Sequence, residues 1–468
     1  MHTFTIVIIA FALLSSLFRI LKNKLKLKQR IRHNIGNKVI AFFHPFCDGG
    51  GGGERVLWTA IHAIQHKKEL SHYTILIYSS DIPKSKKELL AKVKDQFNIV
   101  IFEQGLEVVQ LKMWKWLEAK RYPRFTLIAQ SLGSIIVGLE ALWIFIPDIY
   151  IDTIGHSFIY PVVNFFFDCV VVAYIHYPTI STDMLKNVKY GMANFNNDKR
   201  IAGSAILSNA KLIYYNFFAV LYGFAGYFTN LVMVNSTWTQ NHIKHIWRFN
   251  FNEPKIVYPP CDTTSMLKIK LNDFKRKLII LSIAQFRPEK NHLLQVKSFK
   301  MFLDLNPKFE GKVELILVGS CRNQEDRKRI DDLKTVIMEL NLSNAVKIVE
   351  NAPYSVLFDY LESATIGIHT MTDEHFGIGI IEYMASGVIP LAHDSGGPKS
   401  DIVVDYKGEK TGYLACTVEE YASGIKTILE LSYRERSKIQ LNARNLITEK
   451  FSEENFSKMF IDNLSKVL

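Results

Sequence analysis

Nowhere in the 468 residues does the triplet D-x-D occur. The closely spaced carboxylates that usually hold a nucleotide diphosphate through a divalent metal are therefore missing, and a bound diphosphate would have to be countered by cations and helix dipoles. The dinucleotide fingerprint G-x-G-x-x-G is absent, as is a Walker loop ending in G-K-[ST], which sets a nucleotide-dependent oxidoreductase aside. The five cysteines, Cys47, Cys169, Cys261, Cys321 and Cys416, are scattered, odd in number and free of any C-x-x-C. Neither a disulfide framework nor a zinc site is indicated, and the reducing cytosol fits. No internal repeat and no long low-complexity tract occurs.

What the chain does have is length and apolar content, 48% hydrophobic residues, enough for two cores. Its net charge of +12 is uneven. Arg19, Lys22, Lys24, Lys26, Lys28, Arg30 and Arg32 supply more than half of that excess, directly after the apolar run Phe4–Phe18. A basic stretch beside an apolar one, without interleaved aromatics, points to a membrane surface rather than to nucleic acid. Phe4–Leu21 lacks a basic leading region and a small-x-small cleavage site, while positive charge follows it. That order favours an uncleaved anchor with its C-terminal side in the cytosol, either spanning or as a tilted interfacial helix. Leu212–Val234 carries no charge, but a crossing there would put the two halves of any site on opposite sides of a bilayer. We read it as a buried or membrane-dipping helix running into a short strand, Leu231–Asn235. Phe158–Phe167 is a further interfacial surface or part of the core.

From Lys38 onward apolar strands alternate with amphipathic helices. The pattern predicts strands at Val39–Phe43, Tyr73–Tyr78, Ile99–Phe102, Thr126–Ala129 and Val170–Ile175, with a helix from Glu54. After the turn-rich V-Y-P-P-C-D break at Val257–Asp262, further strands are predicted at Leu278–Ile283, Val313–Val318, Val346–Val349, Thr365–His369 and Val388–Ala392. Strands separated by helices imply parallel sheets, so the fold class is α/β with two Rossmann-like αβα lobes facing each other across a cleft and an N-terminal membrane anchor helix. The expected division is an anchor and basic flank over 1–37, an N-terminal lobe over 38–258 and a C-terminal lobe over 259–468, closed by helices from Val418 to Leu468.

The most informative stretch is E-H-F-G-I-G-I-I-E, Glu374–Glu382. A strand ending at Thr370 and a helix starting near Gly377 would place Glu374 on a loop, Glu382 down the helix, and the bare amides of Phe376, Gly377 and Ile378 toward a ligand. A helix N-terminus attracts phosphate or a polar sugar, and flanking carboxylates accept hydrogen bonds from hydroxyls. Arg287 and Lys290, in Q-F-R-P-E-K-N-H, follow a strand and precede a helix, at the end of a parallel sheet where ligands bind. On the N-terminal side, Gly49, Gly50, Gly51, Gly52 and Gly53 form a loop whose backbone can approach a ligand closely and take positive φ. His176 ends a buried strand facing the same cleft, where a satisfied core histidine is the alternative reading. Lys399, after G-G-P, is a further candidate near the donor end.

These blocks carry a resemblance. F-F-H-P-F-C-D-G-G-G-G-G-E-R-V-L-W (Phe42–Trp58), Y-I-H-Y-P-T-I-S-T-D-M-L (Tyr174–Leu185), V-N-S-T-W-T (Val234–Thr239), F-R-P-E-K-N-H (Phe286–His292) and the run Asp373–Ile402 resemble the retaining GT-B glycosyltransferases. Within them the chain is similar to the eukaryotic GDP-mannose:dolichyl-diphosphate-oligosaccharide α-1,2-mannosyltransferases of the endoplasmic reticulum. The resemblance covers nearly everything after residue 38. It implies a catalytic set of Glu374, His176, Arg287 and Lys290. Arg287 and Lys290 would hold the donor diphosphate, Glu374 would lie near the transferred sugar, and Glu382 would bond the nucleotide ribose. Phe376, Gly377 and Ile378 would offer amides, with His176 and Gly49–Gly53 on the opposite side. It further implies GDP-mannose as donor; with no D-x-D to hold a divalent ion, no metal and no cofactor are expected. The acceptor would be a dolichyl-diphosphate-linked Man3GlcNAc2-type oligosaccharide extended by two α-1,2 mannoses, on the cytosolic face of the endoplasmic reticulum membrane. Other mannosyltransferases of the same pathway stand as candidate partners. The competing readings are a UDP-sugar transferase of the same fold and a catalytically silent membrane scaffold.

Overall fold

The computed structural model describes residues 2–80, 85–189, 205–271 and 276–468, and the side chains of its first helix from Ser16 onward. Thirteen strands among the described residues form two all-parallel sheets. The first, in spatial order, holds β3 (Leu106–Gln110), β2 (Thr74–Ser79), β1 (Val39–Phe43), β4 (Ile149–Asp152), β5 (Val170–Ile175), β6 (Leu231–Val234) and β7 (Lys255–Ile256). The second holds β10 (Val346–Glu350), β9 (Glu314–Gly319), β8 (Ile279–Ile283), β11 (Ile366–His369), β12 (Ile389–His393) and β13 (Tyr413–Ala415). Central strands such as V-I-A-F-F are apolar at every position because helices cover both faces. Val39, Ala41 and Phe43 enter one core layer, and Ile40 and Phe42 the other, as the two-residue period of a strand requires.

Two expected strands are not strands. Thr126–Ala129 opens a 19-residue helix, Thr126–Ile144, because the apolar pattern continues far beyond strand length. The sheet instead gains β4, a strand not predicted from the sequence, which pairs with β1 and β5. Ile99 and Ile101 are buried, but in a loop; the edge of the sheet is formed by Leu106–Gln110, which pairs with β2.

The expected helix-to-strand run is present as a helix over Ala205–Tyr227 followed by β6, which pairs with β5 inside the first sheet. This helix buries Tyr215, Phe218 and Tyr222 and exposes Ile213, Phe217 and Phe224. The Thr126–Ile144 helix likewise exposes Leu132, Leu139 and Trp143. By length and composition it is the one helix among the described residues that could cross a membrane, and only 33% of its apolar window is buried. The first helix runs unbroken over His2–Arg32. Its basic flank is partly used inside the protein: Lys22 pairs with Asp168, while Lys26 and Arg30 pair with Asp148 at 2.9 and 2.7 Å.

Two contacts among those of the described residues help to tie the lobes together. The last helix, Glu453–Leu464, crosses back and buries Phe456, Phe460 and Leu464 in the core of the first lobe. Each such side chain contributes about 1.5–3 kcal/mol. Near the hinge, buried Asp401 of the second lobe accepts hydrogen bonds from the Thr237 amide (2.9 Å), the Thr237 hydroxyl (2.6 Å) and the Tyr258 hydroxyl (2.8 Å). The carboxyl ends of the two sheets thereby face each other across a cleft.

Candidate active site

The cleft holds a cavity of about 650 Å³ lined by Gly52, Gly53, His176, Arg287, Lys290, Glu374, Phe376, Gly377, Ile378 and Glu382. Residues separated by more than 300 positions in sequence are thus brought to one place. Gly49, Gly50 and Gly51 do not line it, and neither does Lys399, whose amine pairs with Asp394 at 3.1 Å.

Each charged group reaches the cavity because a strand ends there. After β8 the chain makes one 3-10 turn, Pro288–Lys290, and Asn291 at φ 49° redirects it into the helix His292–Leu305. Thr370, just past β11, donates its hydroxyl to the Lys290 carbonyl at 2.8 Å, and its oxygen accepts from Gln295 at 2.9 Å. The two loops are therefore fastened to each other. Lys290 Nζ donates to Glu374 Oε2 at 2.6 Å. Arg287 has Glu289 as an ion-pair neighbour at 3.7 Å, and its buried Nε has no hydrogen-bond partner.

Gly377 has φ +120°, a backbone state that side-chain-bearing residues rarely adopt, and it starts the helix Ile378–Ser386. No side chain caps this helix, so its opening amides, before Ile380 bonds back to the Gly377 carbonyl at 3.0 Å, are left for whatever enters the cavity. The G-G-P turn supports this loop from behind. The Gly397 amide donates to the Glu374 carbonyl at 2.7 Å, and a Cβ on Gly396 would stand 2.3 Å from that same oxygen.

Glu374 is enclosed by donors: His369 Nε2 lies 3.4 Å from Oε2, and His375 Nδ1 lies 3.2 Å from Oε1. Burial works to raise its pKa, but the hydrogen bond from His369 and the charges of His375 and Lys290 prevail and hold it well below the usual carboxylate range. Glu382 is the opposite case. Burial pushes it up to about 7, Arg55 opposing and Asp262 reinforcing the shift. His176 is lowered to about 3 by burial, with His375 and His44 adding to the effect. It is therefore neutral near pH 7. Its ring is held by the Thr153 backbone, and Nε2 has no hydrogen-bond partner and faces Gly53.

The glycine loop works by close approach, not by positive φ: none of Gly49–Gly53 lies in the left-handed region. A Cβ on Gly52 would stand 3.0 Å from Ile378 Cδ1 across the cleft. The Gly51 amide donates to Glu54 Oε2 at 2.7 Å, and Glu54 Oε1 lies 3.5 Å from His44 Nε2. Sequence reasoning missed His369, His375, Asn235, Ser320 and Asn351, which also line the cavity. His369 ends β11, a position that could have been read; Ser320 and Asn351 follow β9 and β10 without any motif of their own. Among the described residues no group of three or more His, Cys, Asp or Glu side chains is placed to hold a metal ion. Two cations, a free helix N-terminus and two carboxylates in one cavity suit a ligand that combines a diphosphate with several hydroxyls.

Comparison with known proteins agrees with this chemistry. Residues 37–247 match the model of the ALG11 mannosyltransferase N-terminus, and residues 265–446 match that of glycosyl transferases group 1. The GDP-Man:Man(3)GlcNAc(2)-PP-Dol alpha-1,2-mannosyltransferase of Dictyostelium discoideum is 44% identical over 95% of this chain and 87% of its own length. The protein of the same name from Homo sapiens is 43% identical over 96% and 91%. Among solved structures, sucrose-phosphate synthase from Thermosynechococcus elongatus superposes with a TM-score of 0.62 at 16% identity, covering 92% of this chain and 98% of that one. Anabaena HepE in complex with UDP and glucose gives 0.56 at 18%, covering 92% and 99%. These last two likenesses concern the fold alone.

Proposed function

The chain belongs to the family of GDP-Man:Man(3)GlcNAc(2)-PP-Dol alpha-1,2-mannosyltransferases, and from that premise we propose how its cleft carries out the reaction. It is a GDP-mannose-dependent α-1,2-mannosyltransferase that extends a lipid-linked oligosaccharide. The observation that supports the assignment of roles is the gathering of Arg287, Lys290, Glu374 and Glu382 around one cavity at a helix N-terminus.

In this reading Arg287 and Lys290 clamp the diphosphate of GDP-mannose, with the amides of Phe376, Gly377 and Ile378 completing the cradle. Glu382 accepts hydrogen bonds from the ribose hydroxyls. Glu374, kept ionised by its neighbours, orients the mannose and stabilises the positive charge that develops at its anomeric carbon. The bond between that carbon and the phosphate oxygen breaks as the acceptor hydroxyl oxygen bonds to the same face. The acceptor proton passes to the departing phosphate oxygen, so the configuration is retained without a glycosidase-type carboxylate pair. Charge building on the GDP leaving group is met by the two cations and the helix dipole, a countercharge that requires no divalent ion. Neutral His176 accepts a hydrogen bond at Nε2 from a sugar hydroxyl, and Gly52 and Gly53 let the first lobe close on the donor.

The wider setting follows the same reading. Residues 1–37 form the anchor and basic flank, 38–258 the acceptor lobe and 259–468 the donor lobe. The enzyme adds two successive mannoses at the endoplasmic reticulum membrane with its lobes in the cytosol, beside other mannosyltransferases of the pathway. Purified protein incubated with labelled GDP-mannose and a lipid-diphosphate trimannosyl-chitobiose, with EDTA present, should give a product enlarged by one or two hexoses that α-1,2-mannosidase removes. Absence of transfer, preferential use of a UDP-sugar, or restoration only by a divalent ion would overturn the corresponding part of the scheme.

A further inference from the structure

Beside the cavity lies a second group of side chains that the diphosphate chemistry does not use. Tyr177 follows His176 at the end of β5. Its ring stacks on Trp238 with centroids 5.7 Å apart and an interplanar angle of 26°, and it meets His375 edge-on at 5.6 Å. His375 lines the cavity, yet Tyr177 is 39% exposed. A large aromatic ring fixed against Trp238 and left open beside a polar cavity is a ready surface for another flat apolar face.

Two carboxylates accompany it, one from each lobe. Asp183, in the first turn of the helix Thr182–Lys189, has Oδ2 at 3.2 Å from His242 Nε2 and Oδ1 at 3.4 Å from Lys186 Nζ. Asp373 immediately precedes Glu374 and is held at φ 54°; its amide donates to Ser395 at 2.8 Å. Ring contacts gather both acids about the tyrosine: His242, which holds Asp183, meets Trp238 edge-on with centroids 4.0 Å apart, and His375, two residues after Asp373, meets Tyr177 itself. Burial first, and the charge of Asp183 second, raise the Asp373 carboxyl. Each carboxylate has a donor of its own, His242 and Lys186 for Asp183 and Ser395 for Asp373, and each keeps lone pairs that can accept further hydroxyls.

We propose that Tyr177, Asp183 and Asp373 form a subsite for a neutral pyranose of the acceptor oligosaccharide, packed by its C–H face on the tyrosine ring and donating hydroxyls to both carboxylates. The proposal rests on reading the adjoining cavity as the donor site. It accounts for an exposed ring and two carboxylates with acceptor capacity to spare standing next to the loop that carries Glu374.

The test varies acceptor and donor separately with the full-length protein in detergent, using GDP-mannose and a lipid-diphosphate trimannosyl-chitobiose. Tyr177→Ala, Asp183→Asn and Asp373→Asn should each raise the acceptor KM about tenfold or more, the consequence of one lost hydroxyl contact or ring face. The KM for GDP-mannose and the Kd for GDP should stay within about twofold. Tyr177→Phe, which keeps the ring, should keep the acceptor KM. Asparagine tolerates the left-handed backbone at position 373, so that variant remains informative even where Tyr177→Ala lowers the melting temperature. Unchanged acceptor KM in both aspartate variants, or equal shifts for donor and acceptor, would overturn the subsite while leaving the donor assignment intact. A wild-type protein that binds GDP but transfers nothing would overturn the underlying reading and the subsite with it.

Discussion

Lys290 Nζ donates to Glu374 Oε2 at 2.6 Å, joining the loop after β8 to the loop after β11 within the cavity. The carboxylate is 7% exposed and the amine 23%, so the pair is shielded enough for the ammonium charge to favour the ionised carboxylate. The same lysine lines the cavity together with Arg287.

Lys290→Ala should therefore act twice. Losing a preorganised countercharge for the leaving group should lower kcat roughly a hundredfold or more, and Arg287→Ala should do the same. Glu374 also loses one of the cations that hold its pKa down. Its ionised form would then give way at higher pH, moving the acid limb of the kcat profile upward. Glu374→Gln should abolish that limb; an acid limb unmoved by Lys290→Ala would show that the pair does not govern the titration.

Glu382 predicts a pH dependence of the opposite kind. A carboxyl raised to about 7 is protonated below that pH and accepts fewer hydrogen bonds from a ribose. GDP affinity should therefore rise as pH increases through about 7, and Glu382→Gln should flatten the profile. The linked stability runs the other way. The folded state retains this proton more tightly than the unfolded chain, so its stabilising contribution is present below the ordinary carboxyl value and is lost as pH rises through about 7. Thermal melts of the unliganded protein from pH 5 to 8, with and without Glu382→Gln, measure it.

Asp401 fastens the lobes through three hydrogen bonds while itself 1% exposed. Asp401→Ala leaves the Thr237 amide and the Tyr258 hydroxyl without an acceptor. It should cost about 1–3 kcal/mol for each donor that water cannot reach. Urea denaturation should show the loss, and activity should fall together with it as interlobe alignment loosens. A variant of wild-type stability would remove Asp401 from the account of the hinge.

The site was legible where chemistry is concentrated at strand ends. Arg287, Lys290, Glu374 and Glu382 stand in short runs of charge and glycine that interrupt apolar segments, so their placement follows from the strand–loop–helix rhythm alone. The second sheet was readable for the same reason, although its edge strand, Tyr413–Ala415, is too short to stand out. In the first lobe the long apolar run from Thr126 concealed a helix, and Ile99 and Ile101 show that burial alone does not make a strand. Partners distant in sequence were not legible: the return of Phe456 and Phe460 to the first core and the grip of Asp401 on Thr237 depend on tertiary placement. Of the five glycines only Gly52 and Gly53 reach the cavity, and none lies in the left-handed region: Gly52 stands close to Ile378, while Gly49 and Gly51 stand close to Glu54.

The most direct test of the central claim is a structure of the protein with GDP bound. The account predicts the diphosphate within hydrogen-bonding distance of Arg287, Lys290 and the amides beginning the Ile378–Ser386 helix, Lys290 drawn away from Glu374, and the ribose hydroxyls on Glu382. A diphosphate bound elsewhere, with the Lys290–Glu374 pair undisturbed and Glu382 facing no ribose, would contradict it.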